Sequence, residues 1–171
     1  MVAIQRVLLP TDFSVLADHA ARYARSLAEA YESTLHVLHV VSAVLVPVPG
    51  PEVGTVAMAV PSDGSVAEAE EALERFVQKQ LSGIAVPVVT KVLEGAPDLQ
   101  ISRYAAEAAI DLIVIGTHAR GLVRRIFLGS VSKAVMEHAP CPVLMVPLLS
   151  AETEVPAPDQ GAGHPGAEER L

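Results

Sequence analysis

Residues that could bind an anion are concentrated between positions 116 and 130. Gly116 directly follows an apolar run, and Gly129-Ser130 leads into a helical pattern. Glycines after a strand and at a helix start build a loop whose backbone N–H groups point at one place, and such a place attracts phosphate. The chain carries a net charge of −8, yet no acidic residue lies between positions 119 and 137, a stretch that holds Arg120, Arg124, Arg125 and Lys133. An anionic ligand is the leading explanation.

Five apolar runs rich in Val and Ile have the character of strands. They are nearly continuous rather than alternating, which is typical of strands buried on both faces of a parallel sheet. The pattern predicts strands over residues 2–9, 34–41, 84–92, 111–115 and 142–146.

Helical patterns separate the five runs. They cover residues 14–31, 66–81, 97–109 and 130–138. Ser14 or Asp12 is the expected N-cap of the first helix, and Pro97 stands at the first position of the third. The spacing in the first helix predicts an inward face made of Leu16, Ala20, Tyr23, Ala24, Leu27 and Tyr31.

Strict alternation of strands and helices predicts an α/β fold. We expect a single doubly wound domain, with a five-stranded parallel sheet in the order 3-2-1-4-5 and helices on both faces. The domain spans residues 1–149 and includes a Pro/Gly-rich insertion over 42–65, predicted to be mobile and to act as a lid. Residues 150–171 are rich in Ala, Pro, Gly and Glu and are predicted to be a disordered tail.

Composition restricts the classes of partner. The acidic balance argues against nucleic-acid binding, which requires a basic surface. The N-terminus lacks the pattern of a signal peptide, and prolines and glycines interrupt the one long weakly charged region, so no membrane span is expected. A single cysteine, Cys141, excludes an internal disulfide and suggests a reducing compartment. These features predict a cytoplasmic protein.

Two sequence signals predict the same location for a ligand. In a doubly wound sheet the ligand lies beyond the carboxyl ends of the strands, where the strand order reverses. With the predicted order, that point lies between the first strand, which ends at Pro10-Thr11-Asp12, and the fourth, which ends at Gly116. The glycine-bearing loop therefore faces the end of the first strand.

Several motifs together resemble the universal stress protein family. Gly116-x-x-Ala119-(nine residues)-Gly129-Ser130 follows that family's nucleotide-binding pattern, Gly-x-x-Gly-(nine residues)-Gly-Ser/Thr. Further pieces resemble the family in order along residues 1–148: the Pro10-Thr11-Asp12-Phe13-Ser14 strand end, Leu38-His39-Val40-Val41, Glu94-Gly95-x-Pro97 and Ala139-Pro140-Cys141-Pro142-Val143. The insertion matches poorly and the tail is not covered.

The resemblance implies a nucleotide site. ATP, or AMP, would lie with adenosine between the first strand end and Val40, and its phosphates would lie in the glycine loop. Asp12 would contact the ribose, Val40 would offer backbone groups to adenine, and Mg²⁺ would accompany ATP. The implied contacts are Pro10, Thr11, Asp12, Val40, Gly116, Thr117, His118, Ala119, Gly129, Ser130, Val131 and Ser132. The resemblance also implies a homodimer formed through the last strand, which would cover an apolar edge.

Ala119 departs from the family pattern, which has glycine at that position. If the position needs a positive φ, alanine is disfavoured there by about 1 kcal/mol or more. If only a small side chain is needed, alanine fits. The sequence therefore leaves open whether the site accepts a triphosphate.

Three functions remain to be compared. The first is a nucleotide-binding stress-response regulatory module with little or no catalysis, since the motif loops contain Asp12 as their one acidic residue and no Gly-Lys-Ser/Thr. The second is a dimeric scaffold that binds no nucleotide and acts through protein–protein contacts. An adenylyl-transferring or amide-forming enzyme ranks last. His36, His39 and Cys141 are expected to have structural roles, with the two histidines on opposite sides of their strand.

Overall fold

The computed structural model describes residues 3–49, 55–61, 65–119 and 129–149. These residues form seven strands and four helices. In chain order the elements are β1 Arg6–Pro10, α1 Val15–Tyr31, β2 Thr34–Val41, β3 Ala43–Pro49, β4 Thr55–Pro61, α2 Val66–Leu81, β5 Val88–Glu94, α3 Pro97–Glu107, β6 Leu112–Ala119, α4 Ser130–His138 and β7 Val143–Leu149.

The main sheet is five-stranded and parallel, in the order β5-β2-β1-β6-β7. Counting only the five predicted strands, this is the order 3-2-1-4-5, so the predicted fold class is confirmed. β1 is the central strand and pairs with β2 over its whole length, but it pairs with β6 only at Val7↔Leu112 and Leu8↔Ile113. Because β1 ends first, a gap opens between the longer strands β2 and β6.

The two faces of the sheet carry separate core layers. Along β1, Val7 and Leu9 pack with α1 and α2, whereas Leu8 packs with Ile101 of α3 and Val135 of α4. This alternation is the two-residue period of a strand buried on both faces. Helices therefore cover both sides of the sheet, as predicted.

The packed face of α1 differs from the prediction. Alanines form it, namely Ala17, Ala20, Ala21, Ala24 and Ala28, while Tyr23 and Tyr31 are 47% and 52% exposed. The predicted inward placement of those two tyrosines is therefore wrong. Small side chains allow α1 to approach the sheet so closely that a Cβ at Gly116 would lie 2.5 Å from the Leu16 carbonyl oxygen. Hydrophobicity alone predicts that the tyrosines face the core. The short distance between α1 and the sheet instead favours alanine on the packed face of the helix.

Strands β6 and β7 extend beyond their predicted ends. They stay paired through Gly116↔Val146, Thr117↔Pro147, His118↔Leu148 and Ala119↔Leu149. Residues 116–119 are thus strand rather than the loop that the glycine pattern suggested. Mutual pairing along the whole of β7 supplies the backbone partners that hold this segment extended.

The 42–65 insertion contains a hairpin that the sequence analysis did not predict. β3 and β4 pair antiparallel from Ala43↔Pro61 to Pro49↔Thr55. Valines recur along both strands and favour extended structure despite the prolines. The lid role of the insertion stays a prediction.

Other predicted segments lie outside the described residues. They are the tail over 150–171 and the basic positions Arg120, Arg124 and Arg125. Within the described parts of the chain, no helix is both long enough and apolar enough to cross a membrane.

Candidate functional site

A cavity of about 530 Å³ lies at the carboxyl ends of β1, β2 and β6, where β1 stops short. The predicted site residues that line it are Pro10, Thr11, Asp12, Val40, Gly116, Thr117, Gly129, Ser130, Val131 and Ser132. The predicted residues His118 and Ala119 end strand β6, and their side chains lie outside the described part of the structure. The structure therefore brings most of the predicted residues to one place.

The turn after β1 is held by hydrogen bonds to β2. The Thr11 N–H donates to the Leu38 carbonyl over 2.9 Å, and His39 Nδ1 lies 2.8 Å from the Thr11 carbonyl oxygen. Since a carbonyl oxygen only accepts, His39 Nδ1 carries the proton. One Asp12 oxygen accepts the Ser14 N–H over 3.0 Å, which leaves the exposed carboxylate at the cavity. Ser14 is the N-cap of α1, as one of the two predicted alternatives stated.

Phe13 has a strained backbone within this turn. Its φ is 62°, a conformation that bulky residues rarely adopt. Its N–H donates to Thr11 Oγ1 over 3.0 Å, and its ring stacks on His39 with centroids 4.4 Å apart. These two contacts hold the strained residue in place beside the cavity. Sequence reasoning missed both Phe13 and His39 as lining residues, because no spacing rule identifies a strained turn.

The backbone of Val40 faces the gap beyond β1. Backbone groups of successive residues in a strand point to opposite edges. The Leu38 carbonyl bonds to Thr11 on the β1 side, and the Val41 carbonyl accepts the Gly95 N–H on the β5 side. The N–H and carbonyl of Val40 therefore point toward β1, as those of Leu38 do. Pairing of β2 with β1 ends at Pro10↔Leu38, so β1 does not pair with Val40.

Gly116 packs against α1 and supports α4. The Leu16 backbone lies where a Cβ would be, so the close approach of helix and strand itself requires glycine. The Gly116 carbonyl accepts the Ser132 hydroxyl proton over 3.3 Å. Because that bond uses the proton of Ser132, its hydroxyl is committed to joining α4 to β6.

Ala119 has an extended backbone because it pairs with Leu149 at the end of β6 and β7. A left-handed conformation is thus not required at this position. Alanine in place of the glycine of the pattern is compatible with the fold.

The N-terminus of α4 opens on the cavity. Gly129 is its N-cap, no side chain of the described residues caps it, and its first turn holds no acidic residue. Gly129 and Ser130 are exposed, and a Cβ at Gly129 would meet no atom of the described residues within 4 Å. Uncapped N–H groups and the positive end of the helix dipole make this terminus suited to an anion.

Thr117 lies on the cavity wall with an unpaired hydroxyl. Its side chain is 2% exposed, and Oγ1 has no hydrogen-bond partner among the described residues. A buried polar group without a partner destabilises a protein by about 1–3 kcal/mol. Thr117 is a lining residue of the cavity, but its Oγ1 atom is itself buried.

Carboxylates dominate the charge of the described cavity wall. Asp12 and Glu68 both line it, and no Lys or Arg does so within the described parts. Hydrogen bonds from the Ser65 backbone N–H and then its hydroxyl lower the pKa of Glu68, since they stabilise the ionised form. Sequence reasoning did not identify Glu68, which follows the insertion and approaches the site from α2.

His36 lies outside the site and has a structural environment. On the α3 face of the sheet its Nδ1 lies 2.9 Å from the Tyr104 hydroxyl, while His39 faces Phe13 on the other side. The two histidines thus face opposite sides, as predicted. Burial, and then the positive charge of Arg6, lowers the pKa of His36 below its ordinary value of 6.5.

Cys141 packs against the core layer beneath α3 and α4. Burial and then the negative charge of Asp111 raise the pKa of its thiol, so the reactive thiolate is disfavoured. The predicted packing role of Cys141 is consistent with this environment.

Comparison with known proteins gives one consistent relationship. The family model described as the universal stress protein family matches residues 3–147. A universal stress protein of Methanocaldococcus jannaschii is 33% identical over 150 residues, which cover 83% of this chain and 81% of the relative. One from Thermus aquaticus is 34% identical over 148 residues, which cover 82% of this chain and 96% of that protein. The solved structure of universal stress protein UspA from Lactobacillus plantarum, 26% identical, covers 85% of this chain and 99% of its own with a TM-score of 0.65. The chain belongs to the universal stress protein family.

Proposed function

We propose that this protein is a regulatory module of the stress response that binds an adenine nucleotide, ATP or AMP, with little or no catalysis. One observation carries the proposal: a single cavity joins the end of β1, the free backbone edge of β2 and the uncapped N-terminus of α4. The first two suit a nucleoside and the third suits its phosphate.

The adenosine half of the site rests on Asp12 and Val40. An exposed carboxylate fixed by the Ser14 N–H accepts hydrogen bonds from ribose hydroxyls. The Val40 peptide groups offer one donor and one acceptor toward the gap, the pair needed by the edge of an adenine ring. Apolar walls from Ile101 and Ile115 would cover the base.

The phosphate half rests on α4. Backbone N–H groups at Ser130 and Val131 are the donors, and Gly129 permits close approach because no atom of the described residues crowds it. Ser132 contributes through its backbone, since its hydroxyl already bonds to Gly116. His118 and Ala119 stay predicted contacts at the end of β6.

Charge on the wall affects the choice of nucleotide. Asp12 and Glu68 repel a free polyphosphate, so we expect ATP to bind as its Mg²⁺ complex. The described residues provide no group of three or more His, Cys, Asp or Glu able to hold a metal ion. Mg²⁺ that enters with ATP would be held by the nucleotide phosphates.

Proteins of the same fold bind adenine nucleotides. A universal stress protein is solved in complex with cAMP and one from Archaeoglobus fulgidus in complex with dAMP, at 24% and 23% identity to this chain. A family protein from Arabidopsis thaliana is solved with AMP bound, at 21% identity. At these identities the likeness is one of fold, and the residues of this chain carry the proposal.

A second proposal concerns assembly and location. β7 is an edge strand of the sheet, and Leu144 on it is 37% exposed. Pairing of β7 with a second copy would form a homodimer and cover this edge. The single cysteine fits a reducing compartment, so we place the protein in the cytoplasm.

A dimeric scaffold that binds no nucleotide is the second candidate. The two carboxylates on the cavity wall favour it, because they oppose an anionic ligand. It would act through surfaces such as the β3–β4 hairpin.

Isothermal titration with ATP, AMP and cAMP, with and without Mg²⁺, distinguishes the two candidates. We expect saturable binding of at least one nucleotide, and tighter ATP binding when Mg²⁺ is present. Absence of binding by all three at millimolar concentration, with the dimer intact, would favour the scaffold.

A paired variant locates the site. Gly129→Val with Ser130→Ala should abolish the measured binding, because the valine side chain occupies the approach to α4. The fold should be kept, since a Cβ at Gly129 would meet no atom of the described parts of the chain. Ser26→Ala, on exposed helix surface, is the control and should bind normally. Retained binding in the paired variant would place the ligand elsewhere.

A further inference from the structure

We infer that His39 is a positioning residue for the adenosine half of the site. Its ring joins the turn after β1 to β2, and in this way it fixes the Asp12 carboxylate relative to the backbone of Val40. The inference rests on the proposed function, because it concerns how the ribose contact and the adenine contact are held at a set distance. It adds a residue that affects binding through Asp12.

Two hydrogen bonds join the turn after β1 to strand β2. In one, the Thr11 N–H donates to the Leu38 carbonyl, so the bond uses backbone atoms and does not depend on the type of side chain. In the other, His39 Nδ1–H donates to the Thr11 carbonyl over 2.8 Å. This second bond depends on the imidazole. A substitution at His39 therefore removes a link between the turn and the sheet that no neighbouring backbone group replaces.

The same imidazole supports the strained residue of the turn. Phe13 has a φ of 62°, which is unfavourable for a bulky side chain. Its ring stacks on His39 with centroids 4.4 Å apart and makes an edge contact with Phe76 at 6.0 Å. The hydrogen bond from the Ser14 N–H to Asp12 Oδ1 spans Phe13, so a rotation about the φ of Phe13 would break it. The contact that holds Phe13 thus also holds the Asp12 carboxylate.

His39 reaches the turn because of its place in β2. Val37 packs in the core layer under α1 and α2, whereas Val40 packs in the layer under α3 and α4. The alternation along the strand puts the His39 side chain, which is 6% exposed, on the α1 side. Its side chain holds the turn that carries Asp12, and its own peptide bond leads to Val40. One residue therefore connects the two groups proposed to contact adenosine.

The test compares His39→Leu with His39→Asn by titration calorimetry, using adenosine and inorganic phosphate as probes. Leucine removes the Nδ1 donor, whereas the amide nitrogen of asparagine takes the position of Nδ1. We expect His39→Leu to weaken adenosine binding about tenfold and His39→Asn to stay within about threefold of the parent. Phosphate affinity should not change, because phosphate would bind at the N-terminus of α4. His36→Leu, on the opposite face of β2, is the control and should bind adenosine normally.

Two further measurements distinguish positioning from a general loss of stability. Asp12→Asn should weaken adenosine binding less in His39→Leu than in the parent, because the carboxylate is then already misplaced. In the ligand-free protein, the Ser14 amide, which bonds to Asp12, should exchange its hydrogen about tenfold faster in His39→Leu and at the parent rate in His36→Leu. Additive effects of the two substitutions on adenosine affinity, or an unchanged exchange rate in His39→Leu, would overturn the inference.

Failure of the proposed function would give a different result. If the parent binds no adenosine, the proposed nucleotide site is wrong, and the exchange rate of the Ser14 amide still decides whether His39 holds Asp12. If His39→Leu does not fold, His39→Gln replaces it, because its amide nitrogen lies one bond farther from the backbone than Nδ1. We then expect adenosine to bind weakly to the glutamine variant and nearly normally to the asparagine variant. Equal adenosine affinity in these two variants would contradict the role of the Nδ1 donor.

Discussion

Glycines at the two ends of the motif have different roles at the residue scale. Gly116 lies against the Leu16 backbone, whereas a Cβ at Gly129 would contact none of the atoms that the structure describes. The sequence pattern treated both as ligand-facing loop glycines. The first is required by helix–sheet packing, so its presence in the motif has a structural cause as well as a functional one.

Gly116→Ala should destabilise the protein strongly. Its Cβ would lie 2.5 Å from the Leu16 carbonyl oxygen, and backbone on both sides leaves little room to move. We expect a loss of about 2 kcal/mol or more in the free energy of unfolding, measured with urea. Gly129→Ala is the matched control, because Gly129 has a φ of −56° and its Cβ would meet no described atom. It should stay within about 0.5 kcal/mol of the parent. Equal stability of the two variants would show that α1 does not approach β6 so closely.

Asp12→Asn should weaken adenosine binding about three- to tenfold. The amide oxygen still accepts the Ser14 N–H, so the turn is kept, while the charge that strengthens a ribose hydrogen bond is lost. Titration calorimetry measures the change, and Asp98→Asn, outside the cavity lining, is the control. An adenosine affinity unaffected by Asp12→Asn would remove Asp12 from the ribose contact.

The lowered pKa of His36, caused by burial and then by the positive charge of Arg6, makes the stability of the fold depend on pH. The folded-state pKa of His36 lies below the unfolded value near 6.5, so unfolding takes up a proton as pH falls below 6.5. This contribution to stability is complete above pH 6.5 and declines from there toward the lowered pKa. Urea unfolding at pH 7.5 and 5.5 should show a decline that is smaller in His36→Gln. An equal decline of the unfolding free energy in the parent and in His36→Gln would mean that other titratable groups cause it.

Helix α1 shows at the element scale why some of the fold escaped prediction. The existence and order of the helices and main-sheet strands follow from hydrophobic runs, from the Ser14 cap of α1 and from Pro97 at the first position of α3. The inward face of α1 does not, since its distance from the sheet favours alanine over Tyr23 and Tyr31. The ends of β6 likewise depend on pairing with β7, which is remote in sequence.

The candidate site also has one part that the sequence predicts and one part that depends on tertiary packing. Spacing around Gly129 and the strand end at Asp12 located the cavity from sequence. Phe13, His39 and Glu68 complete its wall through a strained turn, a stacked ring and a helix that follows the insertion. Those contacts arise from tertiary packing, so no local sequence pattern predicts them.

Substituting the α1 alanines should reveal how closely this helix packs. Ala24 is fully buried against the sheet, so Ala24→Leu should reduce the free energy of unfolding by about 1–3 kcal/mol through overpacking. Ala30→Leu, on the exposed face, should change stability little. Chemical denaturation of both variants makes the comparison, and a stable Ala24→Leu protein would mean that α1 has room to move outward.

At the scale of the whole molecule, variants on the two edge strands of the sheet test whether the proposed dimer forms through β7. Leu144 on β7 and Val89 on β5 are 37% and 40% exposed, on opposite edge strands. Leu144→Lys should convert a dimer to a monomer, whereas Val89→Lys should not. Sedimentation at micromolar concentration measures the mass. A parent chain that sediments as a monomer would exclude pairing through β7.

The most direct test of the central claim is an NMR titration of the ¹⁵N-labelled protein with AMP. Binding at the proposed cavity predicts saturable shifts of the backbone amide signals of Val40, Thr117, Ser130 and Val131, with Val89 on the far edge unaffected. No saturable shift with millimolar AMP or Mg²⁺–ATP, or shifts confined to other parts of the chain, would contradict the assignment of this cavity as an adenine nucleotide site.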